Sequence, residues 1–169
     1  MTEAKSVVNI DNLELTASSK GTRFAVEEAW IGAVLGLRWL GATLHVVPPG
    51  KIAFPFHRHH VADEMFLILS GSGAYRIGEE QLPVKVGDCL GAPAGGKAHQ
   101  IINTGNEPLR YIGFSNNANA DVIEYPDTGK IAVSAGASGL RYSDATYDHG
   151  GRLEPLDYWE GEDVGEEES

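Results

Sequence analysis

The chain has 169 residues, of which 42% are hydrophobic, and its formal net charge is −11. This length suits one domain that can bury its own core, so we expect residues 1–159 to form a single domain. The acidic balance and the scattered basic residues argue against nucleic-acid binding, because that function requires Lys and Arg to neutralise phosphates.

Four features of the sequence bear on the cellular location of the protein: its two termini, its apolar runs and its single cysteine. The last ten residues, EGEDVGEEES (160–169), hold six acidic residues and no basic one, so we expect a solvated, disordered tail. The start, MTEAKSVVNIDNLEL, lacks the basic and apolar regions of a secretory signal. No apolar run approaches the roughly 20 residues of a membrane-spanning helix, and the single cysteine, Cys89, excludes a disulfide within the chain. These features predict a cytoplasmic protein without membrane contact.

Short strand-like runs separated by Gly and Pro follow one another along the chain, which is typical of an all-β protein. Turns recur about every 8–12 residues, so the pattern predicts a sandwich or a small barrel. The predicted strands, in chain order, are 22–32, 38–47, 64–71, a hairpin over 73–88, then 89–93, 99–105, 109–115 and 130–135.

The strand at 64–71 is apolar on both faces. Met65, Leu67 and Leu69 alternate with Phe66 and Ile68. Side chains alternate across a strand, so both faces of this strand are predicted to be buried. The outer face would meet a second sheet or a second subunit.

The histidines in PFHRHHVADE (55–64) are the strongest candidates for a functional site. On an extended strand His57 and His59 point the same way and His60 points the other. Glu64 joins the face of His57 and His59 if the chain reverses after Val61. A fourth histidine, His99, follows the glycine-rich turn GAPAGGKA, which can return the chain to the same place.

Three neutral imidazoles and one carboxylate suit one divalent transition-metal ion, such as Mn, Fe, Zn, Ni or Co. They leave two octahedral positions open for water or substrate. With a divalent ion the site would carry a net charge of about +1 and attract an anionic oxygen. A His-x-His pair alone is equally typical of a polar strand end, so these residues by themselves leave both interpretations open.

The first segment resembles the first motif of the cupin superfamily, which is glycine, a spacer, His-x-His, Glu after three or four residues, and Gly after six more. In this chain the motif reads Gly50, KIAFPF, His57-Arg58-His59, HVAD, Glu64, MFLILS and Gly71. The first spacer has six residues, one more than the common pattern.

The second motif of that family is glycine, five residues, Pro-x-Gly, two residues, His, three residues and Asn. Here it reads Gly87, DCLGA, Pro93-Ala94-Gly95, GKA, His99, QII and Asn103. The turn before His99 has three residues instead of two. This difference affects the geometry of the turn and leaves the histidine itself in place.

The resemblance implies an all-β cupin double-stranded β-helix, that is, a small antiparallel barrel or jelly roll. It also implies that His57, His59, Glu64 and His99 bind a metal, that His60 does not, and that the chain forms a homodimer. The segments HQIINTGNEPLRYIGFS, DVIEYPDTGK (121–130) and DYWEGE (157–162) are similar to small bacterial single-domain cupins labelled as sugar phosphate isomerase-like or auxin-binding-like.

Other residues are weaker candidates. His45 shares a strand face with Thr43 and is either a pocket base or a structural residue. Cys89 is expected to be a small buried hydrophobe. Within EYPDTGK (124–130), a turn by composition, a polar side chain could still reach the mouth of a barrel.

Three functions fit the candidate metal site. The first is a metal-dependent isomerase acting on a sugar or sugar phosphate; the sequence does not name its catalytic base. The second is an iron-dependent dioxygenase or oxidoreductase. The third is a non-catalytic module that binds a sugar or a carboxylate. Basic residues that a phosphate group would need are scattered: Arg58, Arg76, Lys85, Lys97 and Arg110.

Overall fold

The structure is a computed structural model that describes residues 4–136 and 145–165. A 3₁₀ helix at Ile10–Asn12 precedes the first strand, and the single-turn helix α1 (Ile31–Val34) follows the second. The strands are β1 (Thr16–Lys20), β2 (Phe24–Trp30), β3 (Gly41–Val47), β4 (Arg58–His59), β5 (Glu64–Ser70), β6 (Ser72–Ile77), β7 (Glu80–Lys85), β8 (Cys89–Ala92), β9 (His99–Ile102), β10 (Leu109–Ser115), β11 (Ala120–Tyr125), β12 (Lys130–Ala135) and β13 (Tyr147–Gly151).

The strands form three sheets in which neighbours are antiparallel. A six-stranded sheet has the order β1-β2-β3-β10-β5-β8, a four-stranded sheet β13-β12-β11-β4, and a three-stranded sheet β7-β6-β9. Isolated bridges from Ile52 to Phe24 and to Ile102 link the six-stranded and three-stranded sheets. The predicted all-β class is confirmed, and the arrangement is consistent with a double-stranded β-helix.

Each predicted strand contains an observed one, but four observed strands, β1, β4, β11 and β13, were not predicted. β1 and β13 are exposed at every residue, and β4 has only two residues. An exposed or very short strand needs no alternating apolar pattern, so the sequence carries little signal for β1, β4 and β13. β11 has buried residues at alternate positions, but its end overlaps EYPDTGK, which its composition predicts to be a turn.

The main core lies inside the barrel, where inward-facing residues of the six-stranded sheet meet those of the other strands. Its members include Val47 and Ile68, with 0% and 1% exposure, and Tyr111, with 1%. Burial of large apolar side chains is the main contribution to stability in such a core.

The outer face of the six-stranded sheet is only partly covered. Leu69 packs against a second cluster around Leu44, as do Val8, Ile10 and Leu13 of the N-terminal segment. The prediction that strand 64–71 is buried on both faces is therefore only partly correct, since the outer-face residue Leu69 is half-buried and Met65 is 45% exposed. The chain's own N-terminal segment supplies the cover that sequence reasoning assigned to a second sheet or subunit.

Gly71 and Asn103, which belong to the two cupin-like motifs, stabilise turns. Gly71 has φ +79°, and a Cβ there would lie 2.5 Å from the Pro108 carbonyl oxygen, so only glycine fits between β5 and β6. Asn103 is fully buried; its Nδ2 donates to the carbonyls of Val47 and Glu107, and its Oδ1 accepts from the Gly105 N–H. Side-chain hydrogen bonds thus replace missing backbone partners in that turn.

Three further expectations concern single regions. Cys89 is exposed rather than buried, because it faces outward at the start of the edge strand β8. Within the described chain, no helix is long and apolar enough to cross a membrane. Tail residues 160–165 are exposed, and 166–169 lie outside the described residues.

Candidate metal centre

Backbone pairing brings the two histidine segments together. The His57 N–H donates to the His99 carbonyl at 3.1 Å, and the His99 N–H donates to the His57 carbonyl at 2.7 Å. The turn before His99 is tied to the first segment as well, since the Gly95 N–H donates to the His59 carbonyl at 2.8 Å. The predicted return of the chain to the first histidine segment is what the structure shows.

Glu64, the first residue of β5, lies at the centre of the cluster. Its Oε2 atom is 3.1 Å from His99 Nε2, 3.4 Å from His59 Nε2 and 4.0 Å from His57 Nε2. His57, Glu64 and His99 each offer a ligand atom within 4.8 Å of the others'. His59 is not part of this group of three, but its Nε2 is 3.4 Å from the same Glu64 oxygen that the Nε2 atoms of His57 and His99 approach.

Hydrogen bonds to the opposite ring nitrogens set the orientation of two imidazoles. His57 Nδ1–H donates to the Pro55 carbonyl at 2.7 Å. His59 Nδ1–H donates to Asp121 Oδ2 at 2.5 Å, and Asp121 Oδ1 accepts from the Val61 N–H. In the neutral rings these bonds place the proton on Nδ1 and leave a lone pair on Nε2.

Asp121 is the site residue that sequence reasoning missed. It lies on β11, is 2% exposed, and belongs to the segment 121–130 that was noted only for its resemblance. A carboxylate behind a metal-binding histidine is a common arrangement that fixes the ring and raises its basicity. A buried aspartate 62 positions away from its partner leaves no local sequence pattern.

The electrostatics favour a neutral His57 and an ionised Glu64. Burial, together with the neighbouring His99, lowers the pKa of His57 to about 4. Burial alone would raise the pKa of Glu64, but the surrounding imidazoles, His99 first, outweigh it and hold this pKa below its usual value. For His59, burial is outweighed by the bond to Asp121, so its pKa is raised.

Unpaired buried atoms at the centre of the cluster fit a metal ion. Glu64 Oε2 and His99 Nε2 are 3.1 Å apart but are not aligned as donor and acceptor, and neither has a hydrogen-bond partner among the described residues. Buried polar atoms without partners are costly. Unpaired buried atoms that lie this close together are what a set of metal ligands would show. Imidazole nitrogens with a carboxylate oxygen suit a first-row transition metal.

The cluster opens into a cavity of about 640 Å³, a size that is usual for small-molecule sites. Aromatic side chains form much of its wall: Trp30, Phe54, Phe66, Tyr111, Phe114 and Tyr125. Glu28 and His45 also line it, whereas no Arg or Lys lines it among the residues that the structure describes.

The remaining sequence candidates are placed as follows. His60 is turned away from the cluster, with its Nε2 3.2 Å from Glu124 Oε2, a position consistent with the predicted strand parity. From the segment 124–130, Tyr125 reaches the cavity, while Glu124 pairs with Arg58.

The depressed pKa of His57 has a measurable consequence for the metal-free protein. The unfolded chain takes up a proton at this residue near the usual value of 6.5, but the folded protein does so only near 4. The contribution to the free energy of unfolding is therefore present above about pH 6.5 and declines as the pH falls toward 4. Ring ¹⁵N NMR should give a midpoint near 4 with the proton on Nδ1, and His57→Gln should flatten this part of the stability profile. A midpoint at or above 6.5 would contradict the burial argument.

Comparison with known proteins shows which family model and which solved structures this chain is similar to. Residues 43–114 match the family model described as the cupin domain, a range that includes the four clustered side chains. An uncharacterized protein of Methanocaldococcus jannaschii is 34% identical over 67 residues, which are 40% of this chain and 52% of that protein. The match to this curated relative therefore spans about half of its length.

Three solved structures share the architecture. A proposed sugar phosphate isomerase of Acidithiobacillus ferrooxidans has a TM-score of 0.75 at 24% identity, covering 88% of this chain and 92% of that one. A cupin-superfamily sugar phosphate isomerase of Silicibacter pomeroyi has a TM-score of 0.73 at 21% identity, covering 90% and 97%. A predicted oxalate decarboxylase of Thermotoga maritima has a TM-score of 0.57 at 26% identity, covering 65% and 97%. Residues 43–114, which contain both motifs, therefore match the cupin domain, and the similarity in architecture extends over most of the chain.

Proposed function

We propose that this cupin domain binds one divalent transition-metal ion through His57, His59, Glu64 and His99, and that it is an isomerase-like enzyme acting on a sugar or sugar phosphate. The observation that carries the proposal is the convergence of three Nε2 atoms on Glu64 Oε2, at 3.1–4.0 Å, at the wall of a ligand-sized cavity.

A divalent ion in this position would act as a Lewis acid toward the oxygen atoms of a substrate. The chain's own residues prepare the site for it. Pro55 and Asp121 hold two imidazoles in the tautomer that offers Nε2, and the low pKa of His57 keeps that ring neutral at physiological pH. Little reorganisation is then needed on binding, which favours affinity.

An aldose–ketose isomerisation moves a proton between adjacent carbons and uses no oxidant, so it requires only oxygen-binding and proton-carrying groups. The names of the Acidithiobacillus and Silicibacter neighbours agree with a sugar phosphate substrate, although their sequence identity to this chain supports the common fold alone. The same ligands would also hold iron for an oxygenase, so metal identity is the discriminating property.

Substitutions of the ligands test the metal site. His59→Ala and His99→Ala should each remove most of the metal affinity, because each deletes one of the four donors. His60→Ala is the matched control and should bind metal like the wild type, because its ring points at Glu124. Isothermal titration with Mn²⁺ and Zn²⁺ measures all three. Equal losses in the three variants would show that the parity assignment is wrong.

Asp121, whose carboxylate accepts a hydrogen bond from His59, should also contribute to metal affinity. Asp121→Ala should weaken metal binding by about 10–100-fold, the range found when such supporting groups are removed. The exposed Asp157, on a distant turn, provides a control substitution to Ala that should have no effect.

Elemental analysis of untagged protein, followed by assays under nitrogen and under air, tests the reaction class. We expect about one divalent ion per chain and isomerase activity on sugars or sugar phosphates that needs no oxygen. Iron together with oxygen uptake would instead establish the oxygenase. Ligand binding without turnover under either gas would establish a binding module.

We further propose that the chain works as a cytoplasmic homodimer. Leu40 and Met65 are 47% and 45% exposed, and they lie at the same end of the six-stranded sheet, where Gly41, Ser115 and Glu64 are paired. Apolar surface of this kind is suited to contact between copies. Sedimentation equilibrium should give twice the chain mass of 18.1 kDa, and a mass of one chain would refute the dimer.

A further inference from the structure

A second polar group lines the cavity at a distance from the metal cluster. His45 on β3 is paired in register with Glu28 on β2 and with Tyr111 on β10. Opposite residues in antiparallel strands place their side chains on the same face, so these three form a row across the inner face of the sheet. All three line the cavity.

The imidazole of His45 is fixed by its surroundings. It is 7% exposed, it stacks on Tyr111 with ring centroids 4.8 Å apart, and the Phe54 ring meets it edge-on at 5.4 Å. Its Nδ1 lies 3.4 Å from Glu28 Oε1 and is buried without a hydrogen-bond partner in the described part of the chain. These contacts hold the ring in the cavity wall with its Nδ1 toward Glu28.

The neighbouring carboxylate selects the tautomer. An oxygen of Glu28 next to Nδ1 favours the ring form that carries its proton on Nδ1. This form leaves an acceptor lone pair on Nε2. At 3.4 Å the carboxylate is close enough to bias the tautomer electrostatically.

Gly113 creates the space beside that acceptor. A Cβ at Gly113 would lie 3.2 Å from His45 Nε2 and 3.3 Å from the Phe66 ring. The Phe66 ring is in turn 5.5 Å from the ring of His99. The gap at Gly113 therefore lies between His45 and the metal cluster, along the cavity wall.

We propose that His45 Nε2 is a second ligand-contact point, which accepts a hydrogen bond from a hydroxyl group of a ligand anchored at the metal cluster. This inference rests on the proposed metal-dependent function and deepens it by naming the class of ligand. The ligand is an uncharged, hydroxylated molecule that is long enough to extend from the cluster past Gly113, with apolar contacts to Phe54 and Phe66.

The charges around the cavity favour an unphosphorylated ligand. A terminal phosphate would approach the Glu28 carboxylate, and like charges repel. Four basic side chains are paired with carboxylates: Arg58 with Glu124, Arg76 with Asp127, Lys97 with Glu80 and Arg110 with Asp11. Lys130 Nζ lies 5.0 Å from the centre of the Tyr125 ring but does not itself line the cavity.

Hydroxamates of two lengths test the subsite by binding rather than by activity, because a hydroxamate chelates a metal through two oxygen atoms. The probes are acetohydroxamate, which reaches only the metal, D-arabinonohydroxamate, and its 5-phosphate. The protein is the full chain loaded with Mn²⁺, and Kd is measured by calorimetry. Wild type should bind D-arabinonohydroxamate about tenfold more tightly than acetohydroxamate, the effect of one good hydrogen bond, and should gain nothing further from the phosphate.

Two variants locate this gain. His45→Phe keeps a ring of similar size but removes the acceptor, so the advantage of D-arabinonohydroxamate should disappear while the acetohydroxamate Kd is unchanged. Gly113→Ala should also abolish the advantage of D-arabinonohydroxamate, because the added methyl group fills the gap. Gly113 is outside the left-handed backbone region, so alanine is not strained there. This variant tests the subsite if His45→Phe does not fold. His60→Phe is the matched histidine control and should behave like wild type.

The outcomes separate this inference from the proposed function. Wild-type binding of acetohydroxamate without any gain from the longer probe would overturn the His45 subsite and leave the metal site standing. The same holds for a His45→Phe variant that keeps the gain, and for a phosphate that tightens binding about tenfold or more. Failure to bind Mn²⁺ or acetohydroxamate at all would overturn the proposed function and this inference with it.

Discussion

The reciprocal backbone pairing of His57 with His99 is the constraint on which the site depends. These residues are 42 positions apart, and each strand segment alone offers only imidazoles on a polar surface. Two hydrogen bonds, at 3.1 and 2.7 Å, place the two rings with centroids 4.6 Å apart. Without this pairing His57 and His99 would lie apart, so the candidate metal site exists only because the barrel topology brings the two segments together.

Burial and hydrogen bonding act together on the same cluster. Burial disfavours charge on His57, while the surrounding imidazoles favour charge on Glu64. Asp121 and the Pro55 carbonyl occupy the Nδ1 sides of two rings. The result is a neutral ring at His57 beside an ionised Glu64, and metal binding requires neutral imidazoles and ionised carboxylates. Among the described residues, Glu64 Oε2 and His99 Nε2 have no hydrogen-bond partner, which fits a set of atoms that bind a cation.

The cavity has two unlike regions, and each would constrain a ligand differently. At the metal cluster, donors converge on a point and would bind oxygen atoms through a cation. Beyond Gly113, the wall is aromatic with one polar pair, Glu28 and His45, which offers an acceptor and repels anions. In the function that we propose, the metal cluster would supply the chemistry, whereas substrate choice would depend on residues outside the two motifs. Fold likeness therefore does not transfer a substrate.

The all-β class and the positions of most core strands follow from the spacing of apolar runs and turn residues. Alternating side-chain parity separates His57 and His59 from His60, and motif spacing predicts Glu64 and His99. Other features depend on contacts between distant segments and appear only in the folded chain. Exposed edge strands such as β1 and β13 carry no apolar pattern, and the cover over Leu69 comes from the distant N-terminal segment. Asp121 and the Glu28–His45 pair reach their partners only through sheet pairing between segments far apart in the chain, and no local pattern encodes such a contact.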